Sequence, residues 1–153
     1  MTAYIVSISM LIIFLLAVGA FFSMTETAFT SLSRIKVRQL QKEKARHADL
    51  IAKLRSNLDE LIATVLIGTN FVNTFNSAVT TAFAVKVLGA EYVSAATAVI
   101  LFLVIIFVEI VPKSVAAINT ETAVKNTAIP VYLIKAVLYP VVKTFCLFTR
   151  FID

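Results

Sequence analysis

The sequence predicts an all-α integral membrane protein, with three transmembrane helices joined to amphipathic juxtamembrane helices, and three observations carry that prediction. Of the 153 residues, 59% are apolar and only 15% are charged, against roughly 25% charged in ordinary soluble domains. Apolar stretches at 4–22, 61–85 and 92–108 approach the roughly 20 residues that a helix needs to cross about 30 Å of hydrocarbon. The basic residues are also unevenly placed. Arg34, Lys36, Arg38, Lys42, Lys44, Arg46, Lys53 and Arg55 all lie between the first and second stretches, whereas only Lys86 lies between the second and third. Positive-inside asymmetry then puts the N-terminus outside the cell membrane, segment 34–55 in the cytoplasm and the C-terminus in the cytoplasm. The net charge of +5 is expected to meet anionic lipid headgroups, at about 1 kcal/mol per residue near the surface, and no nucleic acid.

The first span is expected over 4–30. No Lys or Arg precedes it and no clear A-x-A site follows, so it reads as an uncleaved helix and not as a secretory signal. Segment 34–56 mixes bases with Val37, Leu40, Leu50, Ile51 and Leu54, a helical pattern with one apolar side suited to the membrane surface. His47 sits among charges there and is expected to be solvated. Asn57-Leu58-Asp59-Glu60 has capping-box spacing, an Asx residue with an acid three positions on, and should start the second span at 60–86. Segment 86–91 is too short to be more than an external turn, and the third span follows at 91–112.

A fourth apolar stretch begins at Ala128 but is interrupted by Pro130, Lys135, Pro140 and Lys143. Crossing there would bring two helix breaks and two cations into hydrocarbon, so 122–150 is expected to be an amphipathic helix at the cytoplasmic interface. Residues 1–153 thus form a single transmembrane domain. One cysteine, Cys146, allows no internal disulfide and is expected to be a small buried apolar residue. Without a Cys/His cluster, a Gly-rich phosphate loop or a Ser/His/Asp set, no enzyme is expected.

Ionisable groups within or beside a span cost at least about 2.5 kcal/mol and call for a partner, a wet cavity or a function. Two carboxylates qualify: Glu26, just past the first stretch, and Glu109, which closes the third in Phe107-Val108-Glu109-Ile110-Val111-Pro112-Lys113. Pro112 has no N–H, so a helix there deprives the Val108 carbonyl of its donor and leaves an oxygen beside Glu109. Broken helices of this kind form ion sites in transporters; the plainer alternative is that Glu109 pairs with Lys113 one turn on. In the second span Asn70, Asn73, Thr74, Ser77 and Thr81 recur at spacings of three and four, and Ser23, Glu26, Thr27 and Thr30 do so in the first. Such stripes also serve as helix–helix glue. Together they offer carboxylate, amide, hydroxyl and carbonyl oxygens, a set for a hard cation such as Mg2+, Ca2+ or Na+.

These segments resemble the membrane domain of the CNNM/CorC magnesium transporters. Ser23-Met24-Thr25-Glu26-Thr27-Ala28 with Ser31-Leu32-Ser33-Arg34 is similar to that family's first-helix signature. Leu66-Ile67-Gly68-Thr69-Asn70-Phe71-Val72-Asn73 is similar to its second, and Glu109-Ile110-Val111-Pro112-Lys113 to its third. The resemblance covers nearly the whole chain, in order. It implies a homodimer with three spans per subunit, a cytoplasm-facing acidic cavity and a belt of juxtamembrane helices. It also implies a cation site lined by Ser23, Asn70, Asn73, Ser77 and Glu109, with Mg2+ as the exported ion and Na+ entry as the coupled process. Family members continue into cytosolic CBS domains that this chain does not contain, so nucleotide regulation is not expected of it. The competing expectation is a non-transporting membrane scaffold or Mg2+ sensor that recruits a partner through its basic segment.

Overall fold

The structure, a computed structural model, describes residues 2–87 and 89–150, with side chains through Thr144 apart from Leu88. The expected burial of Cys146 therefore lies outside the described side chains. Helix α1 runs Thr2–Ser31, α2 Arg34–Lys42, α3 Ala48–Ser56 and α4 Leu58–Val87; α5 is Val93–Leu103, α6 Val111–Ile118 and α7 Thr120–Arg150. A 3-10 turn, Ala90–Tyr92, precedes α5, and a π-helical segment, Val104–Ile110, joins α5 to α6. The described residues contain no strand.

The chain divides into two compact units. The first comprises 1–23 with 68–112, and the second 24–67 with 113–153. In the first unit, Ile12, Leu15, Phe22, Val72, Ala84 and Val108 are buried. Gly68 makes room for the Phe22 ring, because any Cβ there would collide with it. Large apolar side chains nevertheless face outward, among them Met10, Ile13 and Phe14 on α1 and Val99, Leu101 and Phe102 on α5. Exposed apolar stripes of this size need a non-aqueous neighbour, and a bilayer supplies one. At the far turn Gly89 takes φ +98°, a conformation costly for any residue with a Cβ. Lys86 Nζ stands 3.9 Å over the Tyr4 ring, a cation–π contact that ties the start of α1 to the end of α4.

In the second unit α3 packs against both α2 and α7. Leu40, Ile51 and Leu54 are fully buried there, each worth about 2 kcal/mol where the alternative is water. Ala28 of α1, Ala116 of α6 and Ala123 of α7 form a tight cluster with Met24; small side chains let helix backbones approach, the packing that replaces the hydrophobic effect inside lipid. The Ser33 hydroxyl accepts from Lys36 N at 3.1 Å, so the Ser-Leu-Ser-Arg motif works as the N-cap of α2. Glu121 ties α2 to α7, 2.9 Å from Lys36 and 2.6 Å from Lys125. Its hydrogen bond holds the Lys36 ammonium above the usual lysine range.

Two expectations are corrected. Segment 34–56 is two helices, not one. After Lys42 the Lys44 N–H bonds back to Gln41 O and the Ala45 N–H to Leu40 O, the Schellman pattern that ends a helix, with Lys44 in the left-handed position at φ 49°. The prolines of the last helix also fail to break it, since α7 passes through Pro130 and Pro140. Among the described residues, three helical stretches are long and apolar enough to cross a membrane: Thr2–Ser31, Ala90–Ile118 and Thr120–Thr144. The third is α7, read above as interfacial, while α4 falls outside this set because Asn70, Asn73 and Asn76 dilute its apolar run. Asn57 O accepts from Leu61 N at 3.1 Å, which starts α4 at the expected place.

Candidate functional site

Five residues of the first unit define the candidate site. On α1, Gly19 and Ser23 are four residues apart and share a helix face. Both are buried. A Cβ on Gly19 would stand 2.8 Å from Val108 Cγ1 and 3.6 Å from Asn73 Oδ1, so this glycine is where α1, α4 and the π-helical segment converge. The Ser23 hydroxyl, 1% exposed, donates to Glu109 Oε2 at 3.4 Å. A carboxylate, a hydroxyl and an amide oxygen are thereby gathered about one crossing, with Val108, itself 1% exposed, sealing one side.

The local backbone around Glu109 departs from an α-helix. Val111 N–H donates to Ile106 O, five residues back, and Pro112 follows immediately with no N–H at all. The i→i+4 ladder is thus interrupted twice in one turn, by the wide register and by the proline. The expected break beside Glu109 takes the form of a π-helical segment that continues into α6. Within the second unit, Lys113 Nζ lies 3.7 Å from Glu26 Oε2.

Of the predicted site residues, Ser23, Asn73 and Glu109 are brought to this crossing. Asn70 and Ser77 share α4 with Asn73 but are exposed, as are Thr74 and Thr81. The Thr81 hydroxyl is spent on Ser77 O at 2.9 Å. A second polar stripe was missed: Thr69, Asn76 and Thr80, at spacings of seven and four, turned from the first by roughly a quarter of the helix circumference at about 100° per residue. Asn76 is 2% and Thr80 5% exposed. The Asn76 Oδ1, Thr69 Oγ1 and Thr80 Oγ1 atoms are buried without a hydrogen-bond partner. Their spacing was visible in the sequence; which of the two stripes faces inward was not. Gly19 was missed too, although a lone glycine one turn before Ser23 was a readable sign of close helix approach.

Among the described residues no group of three His, Cys, Asp or Glu side chains could hold a metal. A cation here would meet one carboxylate together with neutral oxygens. Mg2+ commonly binds in that way, keeping several of its own waters.

Comparison with known proteins gives a consistent result. The chain matches the family described as the cyclin M (CNNM) transmembrane N-terminal domain over residues 10–153. It is 40% identical over 127 residues to a chloroplastic DUF21 domain-containing protein of Arabidopsis thaliana, covering 83% of this chain and 19% of that protein. It is 38% identical over 104 residues to the UPF0053 inner membrane protein YfjD of Escherichia coli, covering 68% of this chain and 24% of the relative. A UPF0053 protein of Haemophilus influenzae is 33% identical over 141 residues, 92% of this chain and 33% of its own length. The chain therefore spans a third or less of these relatives.

Proposed function

Because the chain belongs to the family of cyclin M transmembrane N-terminal domains, we propose that it is the membrane domain of a divalent-cation transporter that exports Mg2+ in exchange for Na+. The observation that carries this is the hydrogen bond of 3.4 Å between buried Ser23 and Glu109, at a crossing that Asn73 also reaches. A carboxylate within a span calls for a partner, a wet cavity or a function, and binding a cation on its way through is such a function. Asn70 and Ser77, exposed on α4, complete the set from the side that a second subunit covers in a homodimer. The spans are α1, α4 and Ala90–Ile118. We place α7 at the cytoplasmic interface because Lys125, Lys135 and Lys143 interrupt its apolar run, two of them paired with acids, Lys125 with Glu121 and Lys135 with Glu60. The N-terminus lies outside and the C-terminus in the cytoplasm.

The test is thermal unfolding of the detergent-solubilised protein across a Mg2+ titration, beside Glu109→Gln. A ligand that binds only the folded state stabilises it by mass action, by about 2.7 kcal/mol at a hundred times its Kd. Saturable stabilisation in the wild type that vanishes in the variant supports the site. No saturable effect in either favours the scaffold reading, in which Ser23–Glu109 is helix–helix glue.

A further inference from the structure

Outside the cation site, the second unit holds a groove of about 380 Å3 lined by Arg34, Val37, Arg38, Gln41, Ala52, Arg55 and Ser56. Three guanidinium groups and no carboxylate line it. Arg34 and Arg38 are four residues apart on α2 and exposed, a like-charge pair that disfavours the helix on its own. Neither makes an ion pair or hydrogen bond with any described residue, whereas Glu121 is held by Lys36 and Lys125, and Glu60 by Lys135. Arg55 comes from the end of α3 and is held in place, its Nε donating to Leu32 O at 2.9 Å. Gln41 of the lining is itself engaged, its Nε2 donating to Asp49 Oδ1 at 3.3 Å.

We propose that this groove binds the phosphate of an anionic membrane phospholipid. Converging guanidiniums match phosphate oxygens with paired N–H donors, which lysines do not. The membrane, and not a soluble phosphate, is the source because of where the groove lies along the chain. Helix α1 has 30 residues, about 45 Å at 1.5 Å per residue, enough to cross the hydrocarbon and reach both headgroup layers. Arg34 opens α2 just after α1 ends at Ser31, which puts the groove at headgroup level. The buried Val37 and half-buried Ala52 supply an apolar floor beside the three charges. The site is independent of the cation reading, since none of its residues belongs to that unit.

The experiment uses the whole chain in a neutral detergent. Native mass spectrometry follows binding of dioctanoyl phosphatidylglycerol, dioctanoyl phosphatidylcholine and inorganic phosphate. Phosphatidylglycerol should bind saturably and phosphatidylcholine much more weakly. Arg34→Gln and Arg38→Gln, at exposed positions that leave packing unchanged, should each weaken phosphatidylglycerol binding about fivefold. Arg38→Lys, which keeps the charge but loses the paired donors, should also weaken it. Lys42→Gln, which removes the same charge on the same helix outside the groove, should change it less than twofold. Equal losses for Lys42→Gln and Arg38→Gln would mean diffuse attraction and overturn the site. Displacement of phosphatidylglycerol by submillimolar inorganic phosphate would overturn the lipid assignment, and absence of saturable lipid binding would overturn both.

Discussion

Gly19 lies against Val108 so closely that a Cβ on the glycine would come within 2.8 Å of Val108 Cγ1. The contact is side chain against backbone, at the point where α1 meets the residue preceding Glu109. Gly19→Ala should therefore destabilise the protein by about 1–3 kcal/mol through overpacking. Val108→Ala in the same molecule should restore much of that loss, and detergent unfolding curves of the two single variants and the double variant will measure the coupling.

Ser23 holds one carboxylate oxygen of Glu109. Removing that hydroxyl keeps the carboxyl group but takes away one of its contacts. Ser23→Ala should shift the midpoint of Mg2+-dependent stabilisation upward by about tenfold, from the loss of one charge-assisted hydrogen bond. An unshifted midpoint with lowered stability would assign Ser23 to packing alone.

Asn76 has a buried Oδ1 without a hydrogen-bond partner. Replacing such an amide with an apolar side chain of similar volume removes a desolvation cost. Asn76→Leu should raise the unfolding free energy by about 1 kcal/mol, read from the same unfolding curves. Destabilisation would show that the amide is satisfied in the assembled protein.

Lys44 sits at φ 49° without being glycine. A left-handed residue with a Cβ carries roughly 1–2 kcal/mol of strain, and the side chain is exposed. Lys44→Gly should accordingly stabilise the second unit by about 1 kcal/mol, offset in part by the greater freedom of glycine in the unfolded chain.

The helical class was legible because apolar runs near twenty residues leave the backbone few other solutions in lipid. Other features were not, for separate physical reasons. Segment 43–47 breaks without glycine or proline, since Lys44 accepts a conformation that composition would not assign to it. Pro130 and Pro140 remove hydrogen bonds without ending α7, as prolines in membrane helices often do where neighbours satisfy the freed carbonyls. On α4 the sequence carries two polar stripes, and periodicity can set out both but cannot orient them. Asn73 lies between them, half-buried. Ser23 and Glu109 are 86 positions apart; the residue types could be singled out, but their hydrogen bond is a product of the three-helix crossing that Gly19 permits.

The π-helical segment has one last consequence, which concerns phase. Relative to an uninterrupted α-helix, a wide turn inserts one residue, and one residue is about 100° of rotation. Val111 and Pro112 are therefore turned by more than a quarter circle from the direction that the pattern of α5 would extrapolate. Deleting a single residue between Val104 and Ile110 would let the wide turn close to an ordinary α-helical one, with Val111 and Pro112 keeping the azimuth they have now. Closing the turn without losing a residue would instead swing both by about 100°, so this segment should tolerate loss of one residue better than loss of its wide register.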